Sequence, residues 1–138
     1  SIVKKDAPNA NAGVSAVESL ATVSNVPVTV GSYSSTISRA ATQRAAGYDL
    51  PYWELGAVAD VITKKNPGNT FRTNPKASFF GKSGVNTAET VVAPALDKQP
   101  AELNVAVMYE SGAYGNSVAS TVKELSRAAG MNIVLDIE

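Results

Sequence analysis

Three short stretches carry most of the chemistry open to this chain: Ser32-Tyr33-Ser34-Ser35, Glu54-Leu55-Gly56-Ala57-Val58 and Glu110-Ser111-Gly112-Ala113-Tyr114-Gly115. In the first, hydroxyls and backbone N–H groups converge where the apolar run Val26–Val30 gives way to a helical pattern, with Ile37, Ala40, Ala41 and Ala45 at 3.6-residue spacing. Donors at a helix N-terminus suit an anion. A serine there also caps the helix, and on the turn alone that is the commoner role. In the second stretch, Gly56 and Ala57 are small enough to offer backbone groups to a ligand. Glu54 is the one carboxylate close by, open to pairing with a ligand ammonium, to solvation or to a bond with a neighbouring Arg. In the third, Tyr114 offers an aromatic wall with a polar tip.

What the chain lacks is as informative. Its 138 residues contain no cysteine and no histidine. That removes thiol nucleophiles, imidazole bases, zinc sites and the Ser-His-Asp arrangement together, so no catalytic residue, metal or cofactor is assigned. Gly81-Lys82-Ser83 resembles the end of a phosphate-binding loop, but that motif needs Gly where Lys76 stands. Gly31–Ser35 lacks the second Gly of a nucleophile elbow. Formal net charge is zero, with a pI near 6.2, and no basic stripe points to nucleic acid. No apolar run reaches the ~20 residues of a membrane span. Hydrophobic content of 44% against 17% charged is that of a folded domain.

The elements that position these residues follow from periodicity and turn chemistry. Ile2-Val3 reads as the end of a strand, Asp6–Asn11 as a turn, and Asn11–Val23 as a helix burying Ala16, Val17, Leu20 and Ala21. Val26–Val30 reads as a buried strand and Ser35–Ala46 as a helix, with Gly47 at the left-handed position beyond its end. Pro51–Leu55 and Thr70–Thr73 read as short strands, with a helical turn within Val58–Lys65 and a turn at Asn66-Pro67-Gly68-Asn69. A long helix is predicted over Ala77–Leu96, with Phe80, Val85, Ala88, Val91, Val92 and Ala95 inward and Pro94 bending or ending it. Leu103–Tyr109 is a buried strand, Asn116–Ala129 a helix with Val118, Val122, Leu125 and Ala129 on one face, and Asn132–Ile137 a last strand. Alternating strands and helices predict a doubly wound α/β fold with a mainly parallel sheet. In one open sheet the three polar stretches would share the edge at the carboxyl ends of the strands, where ligands sit.

In order and spacing these residues resemble the first lobe of a type I periplasmic solute-binding protein, of the branched-chain amino acid group of extracellular ligand-binding receptors that serve ABC importers. Lys5-Asp6, Asn9 and the helix to Leu20 are similar to that group's second βα unit. Val30–Ser35 resembles its Gly-Pro-x-Ser-Ser turn, Gly47–Thr63 its strand and small-residue turn, Phe71–Pro75 its Phe-Arg-Thr element, and Val105–Gly115 its strand with a Tyr-Gly loop. The resemblance implies that Ser34 or Ser35 binds a ligand carboxylate. It implies that Gly56, Ala57 and Val58 give backbone contacts to the ligand carboxylate and ammonium, and that Tyr114 packs over it. Two departures stand out: Val58 where the group usually carries Thr, and Glu54 where it usually carries Ser.

The resemblance further implies a single truncated lobe over 1–138, lacking its first strand and its second lobe, from a protein whose signal has been removed. The whole protein would be periplasmic or extracellular, lipoprotein-anchored in a Gram-positive cell, and would work with ABC membrane subunits. Half a cleft should hold a solute poorly, and unpaired sheet edges invite a homodimer or strand exchange. Two other readings stay open. One is the ligand-binding domain of a membrane sensor with the same fold, which a membrane span beyond the second lobe would reveal. The other is a doubly wound enzyme, which a carboxylate pair at Glu54 and Glu110 would revive.

Overall fold

The computed structural model describes residues 1–65 and 68–138, so Asn66 and Pro67 of the expected turn lie outside the described residues, while Gly68 and Asn69 do form a turn. The elements are α1 (Ala10–Thr22), β1 (Thr29–Gly31), α2 (Ser35–Ala46), β2 (Tyr52–Glu54), α3 (Val61–Lys65), β3 (Thr70–Arg72), α4 (Ala77–Thr87), α5 (Ala93–Ala95), β4 (Asn104–Met108), α6 (Ala113–Ala128) and β5 (Asn132–Ile137). Every ladder is parallel, as the α/β reading expects. The strands form two sheets, however: β1-β2-β3 and β4-β5.

The described residues form two compact units, Ser1–Pro75 and Lys76–Glu138. Each has its own sheet and its own apolar cluster. In the first unit, α1 starts at Asn9, whose side chain accepts the Ala12 N–H at 2.9 Å. Val17 from α1 packs with Ala41 and Ala45 from α2 and with Leu50 and Tyr52. Along β1 to β3 the side chains alternate as a pleated sheet requires. Thr29, Tyr52, Glu54 and Thr70 are buried. Val30, Trp53 and Phe71, one row in register, stand on the other face at 61%, 42% and 45% exposure. The Trp53 and Phe71 rings stack with centroids 6.0 Å apart.

Several local expectations change. Ile2 and Val3 are exposed and outside any strand. The strand expected over Val26–Val30 contracts to β1, with Val28 exposed ahead of the ladder and Val30 exposed on the same face as Trp53 and Phe71. Gly47 stays right-handed, with φ −69°, and the left-handed residue is Asp49, with φ 52°. A short polar side chain tolerates that region better than most.

In the second unit, Val85, Ala93, Leu103 and Met131 form the core, with Val105, Val122 and Leu125 packed against it. The long helix expected to Leu96 is interrupted. After α4, residues Ala88–Val92 form a wider π turn, in which the Ala93 N–H reaches the Ala88 carbonyl. Pro94 has no N–H to continue the regular ladder. The changed phase turns Val91, Val92 and Ala95 outward, and Phe80 is exposed too, leaving Ala77, Gly81, Val85 and Ala93 inward. Helix α6 starts three residues earlier than expected, so Tyr114 and Gly115 lie in its first turn. Gly130, with φ 76°, ends it as expected.

Candidate functional site

The carboxyl ends of β1, β2 and β3 bring together Ser34, Ser35, Glu54, Gly56, Ala57 and Val58. Tyr114 belongs to the second unit, exposed at the start of α6. The three polar stretches are thus divided between the two sheets, the first two on β1-β2-β3 and the third after β4.

The two serines do different things. Ser34 is the N-cap residue of α2 by backbone geometry, yet its hydroxyl makes no capping bond. Its carbonyl accepts the Ser38 N–H at 2.9 Å and the Ser32 hydroxyl at 3.3 Å. Ser35 is buried, and its Oγ accepts the N–H groups of Val58 and Ala59, each at 3.2 Å. It ties the start of α2 to the loop after β2.

Glu54 is fully buried. Its Oε1 accepts the N–H groups of Gly56 at 2.9 Å and Ala57 at 2.8 Å. Its Oε2 accepts the Ser32 N–H at 3.2 Å and the Ser38 hydroxyl. Of the three roles open to Glu54 from sequence, none matches: it is neither solvated, nor bonded to an Arg, nor presented to a ligand. Four donors of the chain itself surround it, as a buried carboxylate requires. The backbone donors of Gly56 and Ala57, expected to face a ligand, face Glu54.

The carbonyls of the same loop are also held. Arg72 donates from Nη1 to Val58 O and from Nη2 to Ala59 O, both at 2.8 Å, and Asn74 donates to Ala57 O at 3.1 Å. Burial draws the Arg72 guanidinium below its ordinary pKa, against the opposing charges of Asp60 and Glu54. Tyr52, under the same loop, is pushed up to about 12, by burial first and by the Glu54 charge second, while hydrogen bonds with Ser32 and Ser38 act the other way. Space is tight. A Cβ on Gly56 would lie 2.9 Å from the Ser32 carbonyl oxygen and 3.1 Å from Tyr33 Cα.

Sequence reasoning missed Ser38, Arg72 and Asn74 as parts of this arrangement. One signal was available. Ser35, Ser38 and Thr42 recur at helical spacing on the face that also carries Ala41 and Ala45, and all are buried. Polar groups on a buried face need partners, and Glu54 and the loop backbone supply them to Ser35 and Ser38. Glu110, the other carboxylate of the enzyme reading, accepts the Gly115 N–H at 3.1 Å in the second unit. A groove of about 690 Å³ on the first unit, lined by Leu20, Val28, Val30 and Ile37 among others, reaches this arrangement at Gly31, Ser32 and Tyr52 but includes none of Ser34, Ser35 or the 54–58 loop. Among the described residues, no group of three metal-ligating side chains occurs and no helix is long and apolar enough to cross a membrane.

Parallel strands with flanking helices, in this order, are shared with solved ABC transporter substrate-binding proteins, so the chain has the fold of a lobe of the type I periplasmic-binding class. No family model matches it. It is homologous to the Leu/Ile/Val-binding protein homolog 7 of Brucella melitensis biotype 1, with 39% identity over 134 residues, 97% of this chain and 34% of that protein. It thus spans about a third of the length of the curated relatives it matches. The fold aligns with LivJ of Streptococcus pneumoniae, a branched-chain amino acid transporter substrate-binding protein solved with isoleucine (TM-score 0.78, 24% identity, 99% of this chain and 36% of that one). It aligns equally with an ABC transporter solute-binding protein of Rhodopseudomonas palustris HaA2 solved with p-hydroxybenzoic acid (TM-score 0.81, 18% identity, 96% and 33%). These relatives are named as binding proteins, not enzymes.

Proposed function

We propose that this chain is part of the solute-binding component of an ABC importer. The whole protein would be periplasmic or extracellular, would capture an amino acid or similar small carboxylate in an interlobe cleft, and would deliver it to the importer's membrane subunits. The observation that carries this reading is the built edge at the carboxyl ends of β1 to β3, in a chain homologous to Leu/Ile/Val-binding proteins. At that edge Ser34 presents a hydroxyl with no capping duty. Ser35, Glu54, Gly56, Ala57 and Val58 hold its shape. We assign direct solute contact to Ser34 and a framing role to the others.

The test is native mass spectrometry of a polypeptide of the relatives' length that carries this segment. A co-purified amino acid or aromatic acid is the expected result. Failure to retain or bind any of a panel of amino acids and aromatic acids at millimolar concentration overturns the reading. Residues 1–138 alone should bind none of these solutes with measurable heat, since enclosure supplies most of a small ligand's contacts. Micromolar binding in calorimetry would contradict that expectation.

A further inference from the structure

Four donors of four residues converge on one carboxylate at this edge: Ser32 N–H, Ser38 Oγ–H, Gly56 N–H and Ala57 N–H. They come from the β1 turn, α2 and the β2 loop, three separate places in the chain, and they meet at a side chain with no solvent exposure. Such a constellation is an anion cradle. Its occupant here belongs to the chain. We propose that Glu54 is a specificity-determining residue, whose carboxylate fills the anion position of the β1–β2 edge so that a solute's own carboxylate is excluded from this turn.

The carbonyl side of the loop fits the same picture. Ala57 and Val58 point their oxygens to Asn74 and Arg72, and the same peptide planes hold the Val58 and Ala59 N–H groups on Ser35 Oγ, so the loop that follows the cradle is fixed on both sides. The Gly56 and Ala57 donors lead directly into that fixed loop, and a second anion would find all four donors taken and the Glu54 charge opposing it. This deepens the solute-binding reading and rests on it for its consequence. A solute held at Ser34 therefore turns an uncharged or cationic group toward the Gly56–Ala57 turn, and its carboxylate is received elsewhere.

Glu54→Ala removes Cγ and the carboxylate, the atoms of an acetate ion. Thermal melts of residues 1–138 as wild type, Glu54→Ala and Glu54→Gln, each in sodium acetate, acetamide or chloride at matched concentration, test the cradle directly. Glu54→Ala should melt about 10 °C or more below wild type. Acetate should raise its midpoint with the logarithm of its concentration above the dissociation constant, by about 5 °C at ten times that constant, with acetamide and chloride inactive. Wild type should not respond. Glu54→Gln should melt below wild type and ignore acetate, since its amide fills the space and turns an NH₂ toward donors.

Should Glu54→Ala be unfolded in chloride, acetate should restore its circular dichroism. Absence of any acetate effect on Glu54→Ala, folded or not, overturns the proposal. So does an equal effect on wild type, or a Glu54→Gln midpoint equal to wild type. Loss of solute capture in the longer protein would leave these melts unchanged, so the two readings fail separately.

Discussion

Ser34 and Ser35 carry the same side chain one residue apart, and their bonds make opposite predictions. Ser35→Ala leaves the Val58 and Ala59 N–H groups without their acceptor, a loss of about 1–3 kcal/mol in urea unfolding. Ser34→Ala removes no capping bond and should change stability by about 0.5 kcal/mol or less. In a polypeptide of the relatives' length it should instead weaken solute binding. Gly56→Ala forces a methyl group against Ser32 and Tyr33 and should cost about 1–3 kcal/mol by the same measurement. At this scale the sequence located the loop but misjudged its centre. A Glu at the end of a strand reads as exposed because burial of a charge is costly. Only the donors that offset the cost, supplied from residues 32, 38, 56 and 57, make Glu54 an inside residue, and their convergence is a property of three dimensions.

Among the elements, α2 and β5 were legible to the residue, because an apolar stripe with a serine start, or a β-branched run after a glycine, admits one period. The helix beginning at Ala77 was legible at its start and not in its phase. Its pattern assumes a regular 3.6-residue turn through Pro94, and the π turn at Ala88–Val92 breaks that assumption. The difference is measurable. Val85→Ala, at a buried position, should cost about 1.5–3 kcal/mol and reduce hydrogen-exchange protection in α4 and α6. Phe80→Ala, one turn earlier on the face expected to be buried, should cost about 1 kcal/mol or less, since the ring is exposed.

For the molecule as a whole, the division into two units follows from which strands pair, and strand pairing across long separations leaves little trace in local pattern. Nothing in Leu103–Tyr109 distinguishes a strand that joins β1 from one that joins β5. The buried centre of the first unit also sets a limit at high pH. Tyr52 must stay neutral when folded, and its pKa is raised from the ordinary 10 to about 12. Its share of stability is complete below pH 10 and is lost as pH rises toward 12, on the order of 2–3 kcal/mol. Tyr52→Phe should remove that part of the slope, read as the difference between the two proteins in denaturant melts from pH 9 to 12.

The half-exposed row Val30, Trp53 and Phe71 has an optical consequence. Trp53 is the chain's one tryptophan, stacked on Phe71 and half-exposed. Its emission therefore reports the polarity at one face of the first sheet, free of any other indole. A blue shift on adding the rest of a longer polypeptide would record that face becoming dry, and an unchanged spectrum would record that it stays wet.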